Sequence, residues 1–232
     1  MTTAVAAALG CVAGALLPRV IGAIPDREPV PGDPQHTPYR TLAAAPRLAL
    51  LLGVLTALVW GLLAASLGLV AELAAYLLVG ALGVAMAYVD VREHRLPDWL
   101  TYPAFAGAAV LLAVAAAVSG GWAAFGRAWL AALALVLVFL GLALIRPGEL
   151  GLGDVKLAGS LGMLLGWIGW AHVVLGGFLG FLFGGVYSLA LVLARRAGRR
   201  SQVPFGPFLL GGALVAVVWG DPLLAFYLGG PD

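Results

Sequence analysis

From Ala4 to Leu228 the chain is a succession of apolar runs about 20 residues long, separated by short polar connections. A bilayer core about 30 Å thick is crossed by roughly 20 helical residues, and within it each segment must satisfy its own backbone amides and carbonyls. Runs of this length dictate helices. Eight spans are expected, at approximately Ala4 to Ile24, Ala45 to Ala65, Leu69 to Tyr88, Leu100 to Ser119, Ala124 to Ile145, Val155 to Trp170, Ala171 to Ala194 and Phe208 to Leu228. The expected fold is all-α, a polytopic membrane protein of about eight transmembrane helices. Charged residues make up 10% of the chain, where a soluble domain carries about 25%.

Basic residues set the orientation, because cytoplasmic loops collect Lys and Arg. Arg19, Arg27, Arg40, Arg47, Arg92, Arg95, Arg146, Lys156, Arg195, Arg196, Arg199 and Arg200 fall at alternate span ends, leaving Arg127 alone on the other side. Both termini are therefore expected outside. The first run is too long for a cleaved signal peptide, and Arg19 and Arg27 follow its apolar stretch instead of preceding it, so it reads as a retained span. A net charge of +2 is explained by topology and gives no support for nucleic acid binding. The RRAGRR run at 195–200 reads as a topology anchor. One cysteine, Cys11, rules out an intrachain disulfide and has no partners for a zinc site.

Two connections hold unusual acids. Asp90, Glu93 and Asp98 lie in "YVDVREHRLPDWLTYP", residues 88–103, and Glu149 and Asp154 in "RPGELGLGDVKLAG", residues 146–159. Both face the cytoplasm on this topology. Asp98, after Leu96 and Pro97, reads as the cap of the fourth span. Asp154 opens the next helix after Gly151 and Gly153, which let the backbone bend sharply and approach a neighbour closely; an N-cap is the ordinary reading of such an Asp. Asp90 differs, since it continues an apolar run at a helix C-terminus, where the dipole disfavours an anion. Elsewhere, Glu72 and Arg127 read as snorkelling residues. Asp221, before Pro222, marks an early exit of the last helix, and His172 falls between two spans. His94 is solvated.

Two carboxylates brought together at a membrane edge, partly desolvated and mutually repelling, retain one proton between them. The ionised member can take a proton from water while the protonated member polarises a scissile carbonyl. That is aspartic protease chemistry. The alternative is a proton-coupled transporter or channel, since acids in membrane segments often carry ions. Against it, the acids sit at span ends and no transporter-like repeat is evident. A third alternative is a catalytically silent assembly partner in which the Asp residues serve as caps.

Four segments resemble the type IV prepilin peptidases, membrane aspartyl proteases of the GxGD type. "VDVREHRLPDWLTYP" resembles the family's Asp, five-residue gap, LPD and LT-x-P block, and "GLGDVKLAGSLG" its GxGD-x-K-L block. "VPFGP" at 203–207, with Pro204, Gly206 and Pro207, resembles a third signature, and "LGCVAGALLPRVIGAIP" more loosely the first span. The resemblance implies that Asp90 and Asp154 are the catalytic pair. It further implies that Gly151 and Gly153 shape the loop presenting Asp154, with Lys156 beside it, and that Leu96, Pro97 and Asp98 are structural. Residues 1–44 would hold the first span and a shortened cytoplasmic loop, and 45–232 the peptidase domain, in a bacterial inner membrane. The implied partners are the lipid bilayer and prepilin or pseudopilin precursors, cut at the cytoplasmic face between a short basic leader and an apolar helix.

Many members of that family carry paired CxxC motifs after the first span and methylate the new N-terminus with S-adenosylmethionine. Here the corresponding loop, about 25–44, has no cysteine, so the resemblance is to a short form, with peptidase activity needing no metal or cofactor and methyl transfer not expected. Gly177, Gly180, Gly184 and Gly185 allow close helix contact, within the chain or in a homo-oligomer.

Overall fold

The computed structural model describes residues 2–26, 37–145, 150–194 and 203–228. Among these the chain is helical throughout: α1 (Thr2–Gly22), α2 (Tyr39–Ala43), α3 (Leu48–Leu67), α4 (Leu73–Glu93), α5 (Asp98–Ser119), α6 (Trp122–Ile145), α7 (Leu152–Ile168), α8 (Trp170–Leu193) and α9 (Gly206–Leu228). Seven of them, all but α2 and α7, are long and apolar enough to cross a membrane. At 17 residues α7 lies at the short limit for a crossing. The expected all-α, multi-pass membrane fold is what forms. The RRAGRR run, Glu149 and residues 27–36 of the cysteine-free loop lie outside the described residues.

Although short, α7 is the centre of the bundle. Every residue from Leu157 to Trp167 is buried, and the helix packs against α4, α5, α6, α8 and α9. It lies antiparallel to α4. Its C-terminal half meets the start of α4, where the Tyr76 hydroxyl donates to the Leu164 carbonyl at 2.7 Å, while its N-terminus meets the other end of α4, as described below.

The last carbonyls of a helix have no partner within it, and at the end of α7 they meet α6. Arg127, at the start of α6, supplies the donors: its guanidinium reaches the carbonyls of Gly166 (2.7 Å), Trp167 and Ile168 (3.2 Å). The snorkelling role expected for Arg127 is therefore corrected to a cap on α7. The last helix also departs from expectation, because α9 continues through Asp221 and Pro222 to Leu228 without an early exit. Spanning helices tolerate Pro; close to it, Ser66 of α3 donates to the Val217 carbonyl at 3.2 Å, a tie between α3 and α9. A single residue, Gly169, joins α7 to α8, which draws His172 into α8. There it is buried, with Nε2 3.4 Å from Asp221 Oδ1.

Glycines set the helix spacing. A Cβ on Gly10 would lie 2.9 Å from the Thr56 carbonyl oxygen of α3, and one on Gly162 of α7 would lie 2.7 Å from Ala132 Cα of α6. In α8, Gly180 and Gly184 pack against Leu209 and Phe205 next to or within α9, whereas Gly185 has nothing near it. Two of the four glycines noted in the sequence are thus occupied by contacts within the chain. Backbones cannot give way as flexible side-chain tips can, so overpacking at such a contact costs about 3 kcal/mol. Gly162→Val is expected to lower unfolding stability of the purified protein in micelles by about that amount, while Gly141→Val, where the added carbon meets nothing within 4 Å, leaves it unchanged.

Candidate active site

Asp90 and Asp154, one from each of the two connections, lie at the same end of the bundle. Helix α4 extends to Glu93, further than the apolar run, so Asp90 lies in its last turn and is buried, 4% exposed. His94, with φ 51°, ends the helix in the left-handed conformation, its amide donating to the Asp90 carbonyl at 2.8 Å. The turn that follows brings Leu96 back into the interior, and Pro97, in extended conformation, leads into α5.

An Asp at a helix C-terminus needs compensation, and it comes from the start of another helix. The amide of Gly206, first residue of α9, donates to Asp90 Oδ2 at 2.9 Å, adding the positive end of that helix to a hydrogen bond. The VPFGP segment is shaped for this contact. Phe205 anchors it among Phe139 and Phe181, with ring centroids 6.4 and 5.1 Å away. Gly206 has a free N–H and no side chain, and a Cβ there would lie 2.9 Å from Asp90 Oδ2. Pro207 occupies the first turn of α9, where its missing N–H costs nothing. Sequence reasoning noted Pro204, Gly206 and Pro207 but passed over Phe205; the only signal was an aromatic ring inside an otherwise tight turn.

Asp154 is the third residue of α7, which begins at Leu152, and so is not the N-cap. Gly151 holds that position. Asp154 is buried, 8% exposed; its Oδ2 accepts the Gly151 amide hydrogen at 3.2 Å, and its Oδ1 is buried with no hydrogen-bond partner among the described residues. The two carboxylates come to one level around Leu96: Asp90 lies against Gly206, Asp154 follows Gly153, and both glycines pack on Leu96. Neither glycine before Asp154 has a positive φ, so conformational freedom does not explain them. Gly153 instead serves close approach, since a Cβ there would lie 2.8 Å from Leu96 Cβ; on Gly151 the nearest atom would be Asp154 Oδ2 at an ordinary 3.5 Å.

Asp98 and Lys156 find each other. Lys156 Nζ lies 2.6 Å from Asp98 Oδ1 and sits over the Tyr102 ring at 4.9 Å. Asp98 makes no side-chain capping bond, which corrects the cap expected of it: as the first helical residue it points across to α7. The pair is largely exposed, so it is worth under about 1 kcal/mol and serves to locate the starts of α5 and α7. No group of three potential metal ligands occurs among the described residues.

An apolar cleft of about 410 Å³ opens between α3, α4, α7 and α9. One end is lined by Tyr88 and Val91, which flank Asp90 in α4, and by Leu210, one turn beyond Gly206; the other reaches Leu63, Tyr76 and Val217.

A family model, that of the type IV leader peptidase family, matches residues 77–189, a stretch holding both buried acids. The chain belongs to this family. The prepilin leader peptidase/N-methyltransferase of Aeromonas salmonicida is 32% identical over 161 residues, covering 67% of this chain and 52% of the relative. Proteins of the same name from Pseudomonas aeruginosa (32% over 178 residues, 75% and 59%) and Burkholderia pseudomallei (35% over 165 residues, 68% and 49%) are also similar. The chain spans about half the length of the curated relatives it matches. No solved structure matches it.

A Cβ on Gly206 would lie 2.9 Å from Asp90 Oδ2, so Gly206→Ala is expected to lower unfolding stability in micelles by about 1–3 kcal/mol. Gly151→Ala, which adds only an ordinary contact, stays within about 0.5 kcal/mol of the parent. Both are read from denaturant unfolding.

Proposed function

We propose that the protein is a membrane-embedded aspartic endopeptidase that removes the leader from prepilin-like precursors, with Asp90 and Asp154 as its catalytic pair. The observation that carries this reading is the convergence of two buried carboxylates from separate helices at one end of the bundle, one with an oxygen that has no partner among the described residues. Carboxylates so placed share a proton. The ionised member takes a proton from the attacking water, and the protonated member donates to the scissile carbonyl oxygen. The tetrahedral species then collapses as a proton passes to the leaving amine. No covalent enzyme intermediate forms, and the protons of the pair suffice.

The siting of the acids supports hydrolysis at a membrane face over ion conduction. Both lie at helix termini instead of at mid-depth, where a conducting acid would be expected. Arg19, Arg40, Arg47, Arg92, Arg95 and Lys156 lie at that same end of the bundle and Arg127 at the other, so that end is the cytoplasmic one and both termini face outward across a bacterial inner membrane. The apolar cleft running from Tyr88 and Val91 to Val217 supports lateral access for a precursor's apolar segment, its polar leader staying in the cytoplasm. Substrates are prepilins or pseudopilins.

Of the two activities in the relatives' names, the site chemistry bears on peptide hydrolysis, and we assign no methyl transfer and no cofactor. The test is cleavage of a candidate prepilin in membranes holding the wild type or single variants. Asp90→Asn and Asp154→Asn each lower turnover roughly 1,000-fold or more, as expected for members of one catalytic unit, at unchanged protein level. Asp98→Asn, which loses only an exposed pair, stays within about threefold. The wild-type product carries no added methyl mass. Cleavage surviving without either buried Asp would sink the assignment.

A further inference from the structure

Leu96 lies between the two backbones that present the acids. Its Cβ occupies the space a side chain at 153 would need, with its own N and O at 3.4 and 3.3 Å from that position. Its two δ-carbons lie 3.3 and 3.4 Å from where a Cβ on Gly206 would be. It is buried, 8% exposed. Gly153 is bonded directly to Asp154, and the Gly206 amide is the hydrogen-bond donor to Asp90. A single side chain thus touches the main chain beside one carboxylate and the main chain that holds the other.

From this geometry we propose that Leu96 is a positioning residue of the Asp90–Asp154 pair, a wedge that fixes the separation of the two carboxylates; the inference rests on that pair being catalytic. The wedge also explains the two glycines as one device. Flat glycine surfaces on either side let Leu96 seat between α7 and α9; a Cβ on Gly153 would displace it, and one on Gly206 would press on its δ-carbons. The leucine is contributed by the connection that leaves α4 only six residues after Asp90, so α4, α7 and α9 are locked to one another at the level of the acids. The Asp98–Lys156 pair adds a second, exposed tie between the starts of α5 and α7. It is too weak to replace the buried contact.

The experiment is steady-state cleavage of a purified prepilin in micelles by the wild type, Leu96→Ala, Leu96→Val and Leu96→Met, with Leu112→Ala as a control. Leu112 is fully buried in α5, so its truncation costs stability without contacting either glycine. Leu96→Ala is expected to lower kcat by roughly 10- to 100-fold with KM within about twofold. Leu96→Val, which keeps the contact with Gly153 but loses the δ-carbons facing Gly206, also lowers kcat, and its smaller volume change keeps the measurement available if the alanine variant does not fold. Leu96→Met, which reaches as far, returns kcat to within about threefold of wild type. Leu112→Ala lowers the unfolding temperature but leaves kcat near wild type. Wild-type kcat in Leu96→Val and Leu96→Ala overturns the proposal, as does an equal kcat loss in Leu112→Ala or a loss confined to KM. Asp90→Asn and Asp154→Asn are run alongside. If either retains turnover, the pair itself is wrong and the wedge falls with it. If both are inactive while the Leu96 variants are normal, only the wedge is wrong.

Discussion

In hydrocarbon an unpaired amide or carbonyl costs several kcal/mol, and this bundle is organised by where its helix ends meet that cost. A long helix ends in the headgroups, where water serves its last carbonyls. The short central helix α7 has both of its ends served by protein groups: Arg127 reaches three of its carbonyls at one end, and the Asp154 carboxylate accepts the Gly151 amide hydrogen at the other. The start of α9 is treated in the same way, its first amide hydrogen going to Asp90. The buried acids are therefore also the partners of helix starts. Structure and chemistry use the same atoms.

That double use explains why the acids can stay buried and still be available. A carboxylate accepts from several directions, and one oxygen of each acid is committed to a backbone amide while Asp154 keeps a second oxygen that has no partner among the described residues. The surrounding residues are chosen for closeness. Gly153 and Gly206 let backbones approach Leu96 and Asp90 to distances that any side chain would block, and Phe205 holds the second of these glycines against α6 and α8 through its aromatic neighbours.

Much of this was legible in the sequence. Apolar runs gave the helices, because length and burial of the backbone leave a membrane segment little choice. The acids stood out for the same reason, and Asp90 in particular because it sits where a helix dipole opposes it. What remained hidden depends on packing between distant segments. Nothing local to Arg127 reveals that α7 ends under it, nor does LPD reveal that Asp98 turns outward to Lys156 while Leu96 turns in. The glycines before Asp154 looked like a bend, and only the position of Leu96 separates Gly153, which needs to lack a Cβ, from Gly151, which does not.

The central claim is that Asp90 and Asp154 stand together in the folded protein. It is tested most directly by replacing both with cysteine in a background where Cys11, the chain's one cysteine, is changed to serine, and treating intact membranes with a short bifunctional thiol reagent. Convergence of the two helix ends gives an intramolecular cross-link in the double variant and none in either single variant. Thiols that each react with a monofunctional reagent yet never cross-link would contradict it.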